Sequence, residues 1–149
     1  MVPVVLLLLA LLPSRLIEAR DLSTGNVLGC AESMTLRFTH SMFGGDVAET
    51  YVASSNGVER TRLVTERAAA AEYYAWTEEV VPIEGGYEVR VAPHAFDTIV
   101  IRINEVGAHR LSVGEADRPL NLRTLVGDGG RVRLRSQEVT LIERLLGPC

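Results

Sequence analysis

The sequence predicts an all-β fold, either a small β-sandwich or a partly closed barrel of about ten short strands. Short runs of β-branched and apolar residues recur at nearly regular intervals, and turn-forming residues separate them. In 87–91 and 99–103 every second residue is apolar, which is typical of a strand with one buried face. With 149 residues and 47% hydrophobic content, the chain is expected to form one domain.

The predicted strands follow one another from an N-terminal apolar segment almost to the C-terminus. Glycine-containing turns at 44–45, 54–57 and 127–130 divide several of them. The strands are expected at 16–21, 27–31, 34–40, 47–53, 58–66, 86–92, 98–104, 109–113, 119–123 and 131–136.

Two segments depart from the strand pattern. The segment 65–76 is rich in helix formers and predicts one short helix, with Ala69, Tyr73 and Trp76 on one face. A strand that runs into a functional loop is the alternative there. The segment 138–146 is expected to be either a last strand or a short helix.

The charged residues exclude several functions. The formal charge is -4 and all fifteen basic residues are arginine, scattered along the chain rather than gathered in one run. Nucleic acid is therefore not an expected partner. The absence of lysine removes Schiff-base and P-loop lysine chemistry.

The first residues resemble a targeting segment. Residues 1–13 are uncharged and mostly apolar, which is short for a bilayer span but fits the core of a signal peptide. We expect 1–15 to be a signal-like segment or short membrane anchor, and 16–149 to be a single β-domain outside the cytoplasmic membrane. A buried N-terminal strand or helix is the alternative.

The chain has two cysteines, Cys30 and Cys149. They are too few for a disulfide framework or a zinc cage. In an oxidising compartment they could pair, and two unpaired thiols are an equally good expectation.

The segment around Gly44-Gly45 is the most informative for function. Two glycines permit a two-residue hairpin turn, which would place His40 opposite Glu49 and Phe38 opposite Tyr51. Side-chain alternation then turns Ser41 to the other face, which disfavours a serine nucleophile activated by His40.

A buried His40–Glu49 pair has both a structural and a functional interpretation. The carboxylate would satisfy and orient the imidazole in a core, or would make it a base or a ligand-binding group. His109 shares a face with Leu111 and could approach His40 if their strands are neighbours. Zinc accepts ligands of the types that His40, Glu49 and His109 supply, although no local spacing supports such a site. His94 is expected in an exposed loop.

The aromatic residues of 65–76 form the second candidate site. Glu72, Tyr73, Tyr74 and Trp76 concentrate amphipathic side chains that suit a binding surface. Core packing of the aromatic rings is the alternative.

Several segments carry a resemblance to a known family. They are Leu36-Arg37-Phe38-Thr39-His40-Ser41, then 49–51, 65–69, 107–111 and 131–134. The chain resembles, from about residue 16 to residue 135, an uncharacterised bacterial and archaeal domain family that is encoded beside TRAP transporters of the TAXI type. The most specific piece is His40-Ser41 followed by Glu49.

The resemblance implies an exported or membrane-anchored accessory to solute uptake. We expect a non-catalytic binding domain whose partner is a TAXI-type TRAP component or its solute, with no cofactor. The tentative binding residues are His40, Glu49, Glu72, Tyr73, Tyr74 and Trp76. The alternatives are a small hydrolase or metal-dependent enzyme that uses His40 and Glu49, and a purely structural envelope domain.

Overall fold

A computed structural model describes residues 13–146 and Cys149 of the chain, and it has the predicted all-β fold. The strands and helices follow one another in the order β1 (Pro13–Asp21), β2 (Val27–Ala31), β3 (Ser33–Thr39), β4 (Asp46–Ser54), β5 (Gly57–Thr65), α1 (Ala68–Ala75), β6 (Val80–Ile83), β7 (Gly86–Val89), β8 (Ala95–Phe96), β9 (Ile99–Arg102), β10 (Arg110–Val113), β11 (Leu120–Asn121), α2 (Leu122–Val126), β12 (Arg131–Thr140) and α3 (Leu141–Leu146).

The strands form two antiparallel sheets. The smaller sheet has the order β2-β1-β12-β9, and the larger has the order β11-β10-β3-β4-β5-β7-β6, with β8 paired to β5. Neither sheet closes on itself in the described part of the chain, so the fold is a sandwich and not a barrel.

The two sheets and α1 enclose two neighbouring apolar clusters. Between the sheets, Ile17 and Leu134 of the smaller sheet belong to one buried cluster with Leu36 and Leu111 of the larger. Under α1, helix alanines pack on the same inner face of the larger sheet. That second cluster consists of Val47, Leu63, Val89, Ala71 and Ala75.

A β-bulge in β5 changes which side chains face the core. Thr50 pairs with Arg62 but Tyr51 pairs with Arg60, so Thr61 is an extra residue in the ladder. Because strand side chains alternate, the bulge turns Arg60 and Val58 onto the same face as Leu63. Val58 is consequently buried in the main core, and Arg60 points inward.

The last residue, Cys149, is held on the outer face of the smaller sheet. Cys30 in β2 forms a disulfide with Cys149, with the two Cα atoms 5.4 Å apart. The Gln137 side-chain amide donates to the Sγ of Cys149. Leu16 and Val139 lie on this outer face and are nevertheless buried. Of the two alternatives left open for the cysteines, the disulfide is the one present.

Most predicted strands are present, with three differences. The ladder includes β6 and β8, which the sequence did not suggest because Pro82 and Pro93 interrupt the alternation. Leu122 begins a helix where a strand was expected, since Asn121 accepts a hydrogen bond from the Thr124 amide and caps it. The segment 138–146 was expected to be a strand or a short helix, and it contains both, since β12 continues to Thr140 and α3 follows.

Of the predicted leader, residues 1–15, residues 1–12 fall outside the described residues, and residues 13–15 belong to β1. β1 begins at Pro13, opposite Thr140 of β12. Among the described residues, no helix is long and apolar enough to cross a membrane.

Candidate functional site

The predicted register of the β3–β4 hairpin is wrong by four residues. Leu36 faces Glu49 and Phe38 faces Val47, and the connection is the six residues 40–45 instead of a two-residue turn. Gly44 and Gly45 do adopt positive φ angles of 64° and 74°. They close a wider loop because the backbone of His40 bonds to both, with its N–H on the Gly45 carbonyl and its carbonyl on the Gly44 N–H.

His40 is the first residue of this loop and is buried. Its Nδ1 accepts hydrogen bonds from the backbone N–H groups of Met42 and Phe43, each at 3.2 Å. The neutral imidazole is therefore the tautomer with its proton on Nε2. Its ring lies edge-on to Tyr73 and Tyr74, with centroid distances of 5.5 and 5.6 Å.

Glu49 has partners other than His40, so the predicted cross-strand pair is wrong. The Tyr51 hydroxyl donates to Glu49 Oε2 at 2.5 Å, and Arg60 donates to Oε1 at 3.2 Å. Glu49 still shares the inner face with Leu36 and Tyr51, because a shift of four residues preserves alternation. The bulge at Thr61 supplies the arginine that makes this buried carboxylate tolerable.

The charge of Glu49 also acts on Tyr74. Burial, and after it the negative charge of Glu49, raises the pKa of Tyr74 to about 12. The same two causes raise the pKa of Tyr51. Both phenols consequently stay protonated as hydrogen-bond donors throughout the physiological range.

His109 precedes β10 and is the most unusual polar side chain in this region. It is 7% exposed, and its ring stacks on Phe38 with centroids 5.8 Å apart. Its Nδ1 is buried and has no hydrogen-bond partner in the described part of the protein. Burial lowers the pKa of His109, which keeps the imidazole neutral.

The two histidines line one cavity of about 350 Å³, here named the histidine–tyrosine cavity. The approach of His109 to His40, expected if their strands are neighbours, follows from the pairing of β10 with β3. The cavity lining contains imidazole, phenol, hydroxyl and amide groups and no carboxylate or guanidinium. Its residues are Phe38, Thr39, His40, Ser41, Met42, Tyr73, Tyr74, Asn104, Gly107 and His109.

Ser41 lies in the loop and lines the same cavity as His40. The alternation that was expected to turn it away does not apply, because β3 ends at Thr39. No group of three histidine, cysteine, aspartate or glutamate side chains in 13–146 or Cys149 is arranged to hold a metal ion, so Glu49 and His109 do not complete a site with His40 there. His94 is exposed, as expected.

The helix α1 brings the aromatic group to the cavity. Ala70, Ala71 and Ala75 form its buried face, so Tyr73 is exposed and Tyr74 is half-buried. Trp76 ends the helix with 92% of its surface exposed and a positive φ of 47°. The interpretation of the aromatic rings as core packing therefore does not hold for Tyr73 and Trp76.

The six tentative binding residues divide into three groups. His40, Tyr73 and Tyr74 line the cavity. Glu72 is exposed on the helix that supplies the tyrosines, and Trp76 is exposed directly after that helix. Glu49 is not a lining residue and is fully engaged inside the protein.

Sequence reasoning missed the β9–β10 loop as a wall of the cavity. Asn104 accepts a hydrogen bond from the Gly107 N–H at 2.7 Å, and the Gly107 carbonyl accepts from Thr39 of β3. A Cβ on Gly107 would lie 2.1 Å from the His109 ring, so only glycine leaves room for the imidazole. The pair Gly107 and His109 was visible in the sequence, but its closeness to His40 depends on strand order.

Comparison with protein-family models gave no match to this chain, and searches of curated protein sequences and of solved structures gave none either. The contacts around the histidine–tyrosine cavity therefore carry the functional assignment.

Proposed function

We propose that this chain is a non-catalytic, extracytoplasmic binding domain that holds a small solute in the histidine–tyrosine cavity and serves a TAXI-type TRAP uptake system. The observation that carries the binding role is the unpartnered Nδ1 of His109. The transporter association comes from the family resemblance of 36–41, 49–51 and the later segments.

The unpartnered Nδ1 of His109 supports the binding of a ligand, because no group of the described protein forms a hydrogen bond with this nitrogen. A buried polar atom without a hydrogen bond destabilises a protein by about 1–3 kcal/mol. His109 lies in the wall of a cavity with the hydroxyl, phenol and amide groups of Ser41, Tyr73 and Asn104. A solute with its own donors and acceptors would bond to these groups, and a shift of the His109 ring on binding would give its buried Nδ1 a partner.

The lining restricts the chemistry of this solute. A cavity of about 350 Å³ is at the lower end of the usual range for small-molecule sites. The lining supplies no fixed charge, and His40 and the two tyrosines present ring edges and faces. A small polar, uncharged molecule with a flat face fits this set best.

The rim supports a protein partner that meets the domain over the cavity. Met42 and Tyr73 line the cavity and are exposed, and Trp76 follows Tyr73 by three residues, directly after α1. Exposed aromatic and methionine side chains of this kind are common at interfaces. Trp76 also has a positive φ, and strained backbone of this kind is often found at functional sites.

The export of the domain is consistent with two features. The disulfide Cys30–Cys149 suits an oxidising compartment, and residues 2–12 carry no charged side chain. The hydrolase alternative required a pair between His40 and Glu49. That pair does not form, since Nδ1 of His40 accepts hydrogen bonds from backbone amides and Glu49 accepts them from Tyr51 and Arg60.

The substitution His109→Phe tests the binding role. It keeps the ring on Phe38 and removes the orphaned nitrogen, so the free energy of unfolding should be unchanged or higher by up to about 1 kcal/mol. Affinity for the solute should fall on the order of 10-fold. Solutes carried by the partner transporter would be screened by thermal shift and measured by calorimetry. His94→Phe is the control, because His94 is exposed and outside the cavity. A destabilised His109→Phe protein with unchanged affinity would show a structural histidine.

Co-purification in mild detergent tests the partner. The chain should retain the TAXI-type binding protein or membrane subunit of its own genome. Trp76→Gly should abolish retention while leaving the protein as stable or more stable, because glycine accepts the positive φ without strain. The control is Leu125→Gly, which removes an exposed apolar side chain from α2, outside the cavity lining. Repeated failure with both partners folded would exclude the association.

A further inference from the structure

The fold gathers five arginines on the outer face of the smaller sheet. Val132 and Leu134 of β12 are buried in the core, so the residues between and beside them face outward. Arg20 of β1 lies opposite one of these arginines, and Arg102 of β9 lies opposite another. The arginine face consists of Arg20, Arg102, Arg131, Arg133 and Arg135.

Glu18 is the one carboxylate at the centre of the arginine face in the described structure. Arg20 holds both of its oxygens at 2.6 and 2.7 Å, and Arg133 approaches at 3.7 Å. The hydrogen bonds from Arg20 are the main cause that lowers the pKa of Glu18, so the carboxylate stays charged. The arginine face therefore combines five positive charges with one negative charge, that of Glu18.

Most of the arginine face has no internal partner. In the described residues, Arg102, Arg131 and Arg135 form no ion pair, and the buried Nε of Arg133 makes no hydrogen bond. On the larger sheet, by contrast, Arg62 binds Glu88, and Arg110 approaches Asp46. In a chain of formal charge -4, this unbalanced set marks a surface for an anionic partner.

Apolar groups adjoin the arginine face and indicate what kind of anion it meets. Val100 of β9 lies opposite Arg133 with 52% of its surface exposed. Ile142 and Leu146 of α3 are exposed and border a depression of about 560 Å³ that Glu18 and Arg20 also line. Two further carboxylates border it. Glu138 is paired with Arg15, and Glu143 accepts hydrogen bonds from Thr140.

We propose that the arginine face is a docking surface for an anionic phospholipid membrane. The guanidinium groups bind headgroup phosphates, while Val100, Ile142 and Leu146 reach the headgroup boundary. The uncharged run 2–12 directly precedes β1, the strand that carries Arg20, so a membrane held by that run would lie next to the same sheet. This binding is independent of the histidine–tyrosine cavity.

Vesicle binding of the full chain tests the proposal. Cosedimentation would compare phosphatidylcholine vesicles with vesicles that also contain phosphatidylglycerol, because the uncharged run should bind both alike. The anionic lipid should raise the bound fraction, and high salt should remove that increase. The test variant replaces three exposed, unpaired arginines by glutamine and should lose on the order of 100-fold of the lipid-dependent partitioning. Its changes are Arg102→Gln, Arg131→Gln and Arg135→Gln.

The matched control removes the same charge from the other sheet. It carries Arg37→Gln, Arg62→Gln and Arg110→Gln, and it should bind the anionic vesicles almost as the native chain does. Equal losses in the two triple variants would overturn the proposal, since net charge alone would then explain the binding. Equal binding of the native chain to the two kinds of vesicle would also overturn it, as would salt-resistant retention on DNA or an acidic peptide with no lipid preference.

A fluorescence reporter places the contact on the arginine face. Trp76 is the one tryptophan and directly follows α1, which packs against the larger sheet. In a Trp76→Phe background, Val100→Trp should show a blue shift with phosphatidylglycerol vesicles, while the native chain should show none. An unshifted reporter, in a protein that still binds, would overturn the proposed orientation.

Discussion

At the scale of single residues, two buried polar side chains of the larger sheet's inner side have opposite roles. Both carboxylate oxygens of Glu49 accept hydrogen bonds, one from Tyr51 and one from Arg60, and a buried charge needs such partners if the fold is to be stable. His109 is left incomplete at Nδ1 and lies in the wall of a cavity. The first is therefore part of the scaffold, and the second is the basis of the proposed binding role.

The buried imidazole of His109 makes stability depend on pH. Burial lowers the pKa of His109 below its ordinary value of 6.5 in the folded protein. The unfolded chain thus binds a proton first, so stability from this residue is constant above about pH 6.5 and falls as the pH drops below it, until the folded ring also protonates. Urea unfolding midpoints across this range should show the slope in the native chain and a smaller slope in His109→Phe. The slope should persist in His94→Phe, and an unchanged slope in both variants would contradict the assignment.

At the scale of elements, the bulge in β5 decides what the inner face contains. One extra residue, Thr61, turns Arg60 toward Glu49 and Val58 into the core. The loop 40–45 acts similarly at the end of β3, since it takes His40 out of the ladder and places it beside the tyrosines of α1. Both features alter strand pairing by a few residues and thereby determine the surroundings of a titratable group.

Loss of Arg60 should therefore be far more harmful than loss of the bulge residue Thr61. Arg60→Ala leaves Glu49 buried without its arginine, which should destabilise the protein by about 3 kcal/mol or more. Deletion of Thr61 removes the extra residue but keeps Arg60 opposite Tyr51 and Val58 opposite Ala53, so both side chains still face inward. The deletion also removes one exposed hydrogen bond to the Thr50 carbonyl, so it should lose about 1 kcal/mol or less. Urea unfolding measures both, and a Thr61 deletion as harmful as Arg60→Ala would contradict this register.

At the scale of the whole molecule, the disulfide joins the C-terminus to the smaller sheet. Cys30 and Cys149 are 119 residues apart, so the bridge constrains most of the unfolded chain. The same bridge holds Cys149 on the outer face of the smaller sheet, beside Gln137. The arginine face lies further along the same surface.

Removal of the disulfide should lower global stability. Loss of loop-closure constraint predicts that a Cys30→Ser, Cys149→Ser protein is less stable by about 2–5 kcal/mol. Chemical denaturation would measure the difference, and native protein under reducing conditions should behave like the double variant. A double variant as stable as the oxidised native chain would show that the bridge only tethers the terminus. Binding in the histidine–tyrosine cavity should survive, because neither Cys30 nor Cys149 lines that cavity.

The sequence by itself determined the all-β class, most of the strand positions and the short helix. These follow from alternation and turn residues, which are local properties of the chain. It also indicated three of the residues that line the cavity, His40, Tyr73 and Tyr74, because they lie in segments that combine polar and aromatic groups.

Only the tertiary structure decided which of these residues meet. The register of β3 and β4 depended on hydrogen bonds within 40–45, and Gly44-Gly45 alone predicted the wrong partner for Glu49. The pairing of β10 with β3 brought His109 to His40, and the order β1-β12-β9 turned scattered arginines into one face. Contacts between distant segments depend on strand order and on bulges, and neither leaves a periodic signal in the sequence.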